Sequence, residues 1–319
     1  MRDVVSFMKH AYPYTIGAAV LAFVLTRVNV AMVTESLAGA NMLYLLAALI
    51  LTLPLLILEA ARWKYLTDRL TLHMDFWECF RIFNSALFIG LVTPARLGEF
   101  LRYTYLKEKG YSTTKALFSV FLDRFFDILF LLIAAYIGFS LFFSRLAGDA
   151  VAYALVALIA GFALFLAFLR TRLATRLVTM AYGYFAAKIF RKEARHDQGS
   201  IASMLSIINF QNIAVVAVMT AASWALYFFQ SYLLAKSIGI GLGFTEIAAL
   251  ISFSGILNLL PLSVAGIGTR DALYVVAFSL LGLRPETAIA FSVLVLSMIV
   301  ANALFSLPFW LSRPAKIRI

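Results

Sequence analysis

The sequence predicts an all-α polytopic membrane bundle, built from about six full spans and two re-entrant helical hairpins of inverted topology. Three observations lead there. Hydrophobic residues make up 63% of the 319-residue chain and charged residues 13%, a composition that a water-exposed surface cannot accommodate. Apolar runs close to the roughly 20 residues that cross a bilayer recur along the chain, and segments of alternating polarity do not, which selects helices over a β-barrel. Finally, Phe76-Trp77-Glu78, an apolar run, Pro94, a glycine-containing turn and Glu99 recur 168 residues later as Phe244-Thr245-Glu246, an apolar run, Pro261, Gly266-Ile267-Gly268 and Arg270-Asp271. Paired apolar segments broken by Gly and Pro in two halves of one membrane chain are the mark of a transporter-like binding site.

The elements follow in chain order. Residues 14–33 form the first span; the run is too long for a signal peptide and lacks a small-residue cleavage site, so it stays in the mature protein. Residues 42–61 form the second, closed by Glu59 and Arg62 as a helix-end pair. The first repeat covers about residues 76–143. Its limbs, 77–93 and 97–105, are short: at 1.5 Å per residue the longer reaches roughly 25 Å against a hydrocarbon core of about 30 Å. Cations flank it on both sides, with Arg62, Lys64 and Arg69 before and Arg102, Lys107, Lys109 and Lys115 after. By the positive-inside rule the hairpin therefore enters and leaves on the cytoplasmic side.

Spans at 112–143 and 151–168 return the chain to the cytoplasm. Residues 171–205 carry cations beside Leu173, Leu177, Met180 and Tyr184 at helical spacing, which reads as an amphipathic helix on the inner surface. The span at 207–238 then delivers the chain outside near Gly239. The second repeat, about 244–311, dips in from there with limbs at 246–260 and 272–281 before the last span at 285–311. With residues 171–205 not crossing, an odd number of crossings separates the copies and their topologies are inverted; the alternative, in which one hairpin spans the bilayer, removes that inversion. The whole chain, 1–319, reads as one membrane domain with both termini cytoplasmic.

The formal charge of +11 is spread over short segments between apolar runs. That pattern fits membrane orientation and anionic headgroups and gives nucleic acid no groove to enter. Cys79 is the single cysteine, so no intramolecular disulfide and no thiolate metal cluster can form. His10, His73 and His196 are far apart, and neither a metal nor a cofactor is expected.

Chemistry is expected where the hairpin tips meet, because non-helical backbone at membrane depth must be buried in protein or face water. In the first copy Arg96, Gly98 and Glu99 stand on the tip with Arg102 a turn further on. In the second, Gly266, Gly268 and Arg270 lead into a helix start whose N–H groups suit an anion such as phosphate. Asp123, Arg124 and Asp127 lie inside the third long span, where such charges are costly unless satisfied. Together with Asp271 these aspartates are assigned to a charge cluster that either clamps the hairpins or couples transport to an ion. Trp224, Tyr227 and Gln230 either line a cavity or pack.

These residues resemble the stand-alone relatives of the transmembrane region of lysylphosphatidylglycerol synthase, a flippase-like family. Pro94 to Glu99 with Arg102 is similar to the family's Pro-Gly-Arg-x-Gly-Glu turn and following Arg, with Ala95 where glycine is usual. Asp123-Arg124 with Asp127 resembles its Glu-Arg-x-x-Asp pattern, and Gly266 to Asp271 its Gly-x-Gly-x-Arg-Glu pattern, with Asp for Glu in both. The resemblance implies a multi-pass protein of the cytoplasmic membrane of a bacterium or archaeon that handles lipids. It also implies that lipid aminoacylation, which needs a further soluble domain, is not the work of these residues.

The leading expectation is a non-enzymatic lipid transporter that moves an anionic phospholipid or a polyprenyl-phosphate-linked lipid between leaflets, the arginines receiving the phosphate. Two alternatives stand beside it. One is an accessory subunit that presents lipid to a partner glycosyltransferase or synthase; the other is an intramembrane lipid-modifying enzyme using Glu99, Asp123 or Asp127 as base or Mg²⁺ ligands.

Overall fold

The computed structural model describes residues 29–143, 209–260 and 262–312 throughout, with scattered positions at 21–23, 26, 153–164, 204 and 207. The inner-surface helix expected at 171–205 and both termini lie outside the described residues, as do most of the spans expected at 14–33 and 151–168. Every element among the described residues is helical.

Polar side chains cap five of the ten described α-helices. Asn29 caps α1 (Val30–Ala38) by accepting from Ala31 N at 3.0 Å, and Asn41 caps α2 (Met42–Ile50) by accepting from Leu43 N at 2.9 Å. With only Leu51 between them, α2 runs on into α3 (Thr52–Arg69). Asp75 caps α4 (Phe76–Val92), Ser112 caps α6 (Thr113–Gly138), and Asn209 caps α7 (Phe210–Ser237). Each of these side-chain oxygens satisfies an amide that the first helical turn leaves unpaired.

Among the described residues, three helical stretches are long and apolar enough to cross a membrane: Met42–Arg69, Phe210–Ser237 and α10 (Pro285–Ser312), each of 28 residues. The 26 residues of α6 are also long enough, but they carry Asp123, Arg124 and Asp127 mid-helix. The helix expected at 42–61 therefore extends to Arg69. The reason is that Arg62, which reads as a membrane-edge cation, is fully buried and does not end the span.

Both copies of the repeat begin a helix at the Phe-x-Glu motif. Glu78 lies in the first turn of α4, and Glu246 Oε2 accepts from Gly243 N at 2.6 Å to cap α8 (Phe244–Leu257). After α4 the chain reverses through a 3₁₀ segment, Pro94–Leu101, before α5 (Arg102–Glu108). Thus the second limb, expected as a helix over 97–105, is 3₁₀ in its first half. Two local features hold it so. Thr93 Oγ1 accepts from Gly98 N at 2.8 Å, and Gly98 lies so close to α4 that a Cβ there would fall 2.6 Å from the Ile89 carbonyl. In the second copy, Ala265, Gly266 and Gly268 take positive φ values of 53°, 76° and 84° before α9 (Thr269–Leu280), a run of left-handed residues that glycine adopts without strain.

The packing interleaves the two halves. The first limb of the first copy, α4, lies along α10, and the first limb of the second copy, α8, lies along α6. Small residues allow the second of these contacts: a Cβ at Gly138 would stand 2.4 Å from Ala249 Cβ, and one at Gly255 would stand 2.9 Å from Leu131. α7 packs against α2 and α3, and α9 against α10. One apolar cluster gathers Trp63, Phe83 and Leu106, and another gathers Leu250, Tyr274, Phe278 and Phe291. A cavity remains between them.

Candidate functional site

The site starts from α6, whose Asp123 and Asp127 are four residues apart and share one face. Arg62 on α3 reaches across to both. Its Nε donates to Asp123 Oδ1 at 2.9 Å, its Nη1 to Asp127 Oδ1 at 2.5 Å, and its Nη2 to Asp127 Oδ2 at 3.0 Å, while Nη1 also donates to Thr220 Oγ1 of α7 at 3.1 Å. The expected Glu59–Arg62 pair does not form; Arg62 has no solvent-exposed surface and bridges three helices instead. A guanidinium suits this position because its planar fork can serve two carboxylates together.

Arg102 completes the other side of Asp123, donating to Oδ2 at 2.8 Å, and its Nε donates to the Glu99 carbonyl at 3.1 Å. Its guanidinium lies 5.1 Å from the Trp63 ring and 5.0 Å from the Phe83 ring, a cation–π setting that supports a buried charge. Arg102, read both as a flanking cation and as a site residue, is fully buried. Arg124 is the hub: it lies 3.1 Å from Glu99, 3.2 Å from Asp123 and 3.0 Å from Asp127. Trp224 Nε1 donates to Asp127 Oδ1 at 3.2 Å, which places this tryptophan at the cluster. Gln230, by contrast, packs, donating to the Ala48 carbonyl and to Thr52.

Glu99 is set by its neighbour. A Cβ on Gly90 would come 2.5 Å from Glu99 Cγ, so the side chain lies flat on that glycine. Arg96, at φ 55°, is the open member of the group: its side chain is 49% exposed and its nearest carboxylate, Glu99, is 3.7 Å away.

The second copy forms its own smaller network. Arg270 Nε donates to Ser292 Oγ at 2.9 Å and Nη1 to the Ala265 carbonyl at 3.2 Å, while Ser292 donates a short hydrogen bond to Asp271 Oδ1. Asp271 Oδ2 in turn accepts from Gly268 N at 2.7 Å. The amide of Gly268 at the helix start is therefore already bound to an internal carboxylate. A Cβ at Gly266 would meet Asn258 Oδ1 at 2.6 Å, so only glycine lets the turn close on Asn258.

Both networks face one cavity of about 820 Å³. Arg96, Glu99, Arg124 and Asp127 line it from the first copy, Asn258 and Arg270 from the second; Glu59, Trp224 and Tyr227 also line it, and leucine, isoleucine and phenylalanine side chains make up most of the remaining wall. Its size lies within the few hundred to about 1,000 Å³ of small-molecule sites. Several buried polar atoms of its lining residues lack a hydrogen-bond partner among the described residues, namely Glu99 Oε1, Arg124 Nε, Asn258 Oδ1 and Asn302 Oδ1. Buried polar atoms are rarely left unpaired, and such a group around a cavity marks where a ligand or water would complete them.

Of the residues expected at the site, the structure brings Arg96, Glu99, Arg102, Asp123, Arg124 and Asp127 into one network and places Arg270, paired with Asp271, on the wall of the same cavity. Gly98 acts through its closeness to the Ile89 backbone, Gly266 through its positive φ and closeness to the Asn258 side chain, and Gly268 through its positive φ. Arg62 and Glu59 are the members that the sequence reading misplaced.

The sequence profile of the family described as Lysylphosphatidylglycerol synthase TM region matches residues 11–301. The chain belongs to this family. A relative described as a UPF0104 membrane protein, from Methanothermobacter thermautotrophicus, is 24% identical over 305 residues, 90% of each chain. No solved structure matches the sequence significantly. Membership makes this an integral membrane protein and accords with the three apolar helices of spanning length.

Proposed function

We propose that this member of the family is a flippase-like transporter that carries a phosphate-bearing lipid, either an anionic phospholipid or a polyprenyl-phosphate-linked lipid, between the leaflets of the cytoplasmic membrane. The single observation that carries this reading is the shared cavity: both copies of the repeat contribute charged side chains to one mostly apolar chamber. A chamber of that character suits a polar headgroup whose tail stays in lipid. Arg96 and Arg124 offer guanidinium donors to a phosphate, and Asn258 and Asn302 offer amide oxygens to headgroup hydroxyls.

In this reading the two broken segments are re-entrant hairpins of inverted topology. Support comes from their lengths: α4 with 17 residues, α8 with 14 and α9 with 12 all fall short of the roughly 20 needed to cross. Alternating access then follows from rocking one hairpin against the other around a fixed site.

The test is movement of fluorescent anionic and zwitterionic lipids in proteoliposomes, with wild type beside Arg270→Ala and Asp127→Asn, each variant checked for retained helicity. The reading expects anionic lipid to cross faster with wild type and at the protein-free rate with either variant. Equal movement of every lipid in wild type and both variants would remove its basis.

A further inference from the structure

Charge accounting around the cavity leaves one side chain over. Among the described residues the ion-paired cluster holds four guanidiniums, on Arg62, Arg96, Arg102 and Arg124, against three carboxylates, on Glu99, Asp123 and Asp127. Arg270 and Asp271 balance each other across the cavity. Glu59 on α3 lines the same cavity and has no hydrogen bond or ion pair among the described residues. With Glu59 ionised the cluster is neutral; with Glu59 protonated it carries one positive charge.

We propose that Glu59 is a proton-binding site of the cavity, loaded together with the lipid, so that one proton enters as one phosphodiester monoanion enters. This rests on the transporter reading above. The physical argument is the cost of net charge in a water-poor chamber. A phosphodiester arriving beside an ionised Glu59 would leave the chamber with an uncompensated negative charge. A proton from water bound to the Glu59 carboxylate removes that charge, and the loaded chamber is neutral, as is the empty one with Glu59 ionised.

The surroundings allow this role. On its own helix Glu59 has Arg62 within electrostatic reach, from α6 Arg124 and Asp127, and from the 3₁₀ segment Glu99. α7 brings Tyr227 to the same wall, the 3₁₀ segment also brings Arg96, and α9 brings Arg270. α4 contributes only Leu87 and Leu91 there, its Glu78 being paired with Lys109 elsewhere, and α2 and α10 add no charged side chain to the lining. Glu99 and Asp127, the other described carboxylates facing the cavity from the first copy, are each held by at least one arginine. Among the described carboxylates that line the cavity, Glu59 is the one without an arginine partner, and it is left to change charge with loading.

Linkage makes the prediction reciprocal: if protonation favours the anion, the anion favours protonation. The experiment is calorimetric titration of the full chain in neutral detergent with phosphatidylglycerol and, separately, with a short-chain isoprenyl phosphodiester, in buffers of differing ionisation enthalpy across a range of pH. These lipid phosphates do not titrate near neutrality, so any proton taken up belongs to the protein. Wild type is expected to take up as much as one proton per lipid and to lose affinity as pH rises, by as much as tenfold per unit through the titration of Glu59. Glu59→Gln is expected to bind with no proton uptake and with a pH-independent affinity equal to that of wild type at low pH. Glu59→Asp, which keeps a titrating group, should restore the pH dependence and guard against a merely misfolded glutamine variant. Lipid binding by wild type without proton uptake, or uptake that persists in Glu59→Gln, overturns the proposal alone. Failure of wild type to bind either lipid at any pH overturns the transporter reading as well.

Discussion

Arg62 ties α3 to α6 and α7 through Asp123, Asp127 and Thr220. Removing one partner of a buried ion pair leaves an uncompensated charge, at a typical cost of about 3–5 kcal/mol. Arg62→Met should therefore lower the unfolding temperature in detergent far more than Lys64→Met, whose i,i+4 pair with Asp68 is only partly buried and of a kind worth about 0.3–0.5 kcal/mol. Arg62→Lys should rescue little, because an ammonium cannot reproduce the fork that serves two carboxylates. The position was open to misreading for a clear reason. An arginine three residues after Glu59, near the end of an apolar run and followed by Lys64 and Arg69, has the pattern of a membrane edge. A usable signal was present in α6: two aspartates at membrane depth with one adjacent arginine demand another cation from a neighbouring helix.

At the scale of elements, three glycines separate positions where a methyl clashes from one where it meets open space. Gly98→Ala puts a methyl into the backbone of α4 at Ile89, so the 3₁₀ segment must shift and carry Arg96 and Glu99 with it. We expect a loss of about 1–3 kcal/mol in stability, read by thermal unfolding, and a clear drop in lipid binding. Gly241→Ala is the control, since nothing stands within 4 Å of its Cβ position, and both readouts should stay at wild-type values. Gly138→Leu should prise α8 from α6 for the same steric reason, with Ala249 as the obstacle. Legibility differed among elements in a way that follows from where their determinants lie. α7 and α10 were readable to within a few residues because a capping Asn209 and an opening Pro285 are local signals. The 3₁₀ course of Pro94–Leu101 was not, because it depends on Gly98 meeting Ile89 across the turn, a contact that no local pattern announces.

For the whole molecule, composition was enough for the membrane class and the helical architecture, and the repeat pointed to the residues that come to line one cavity. What the repeat could not convey was how the halves engage. Topology is testable directly. Arg284 is exposed between α9 and α10, and the inverted arrangement puts it outside. In a Cys79→Ser background, Arg284→Cys should react with a membrane-impermeant thiol reagent added to the outer face of intact cells. Protection there with labelling only after lysis would place the loop inside and dissolve the inverted symmetry. Cys79 itself is buried, so the unsubstituted protein should remain unlabelled in either case.

The interleaving of α4 with α10 and of α8 with α6 bears on how this protein can be divided. Each half packs a long helix along the first limb of the other half's broken segment, in addition to the contacts that segment makes within its own half. A fragment ending after residue 143 and a fragment beginning before residue 209 should each be cleared by proteolysis when made alone. Made together in one cell, they should recover as a complex that survives purification, because the information for joining them resides in the helix faces rather than in the continuity of the chain.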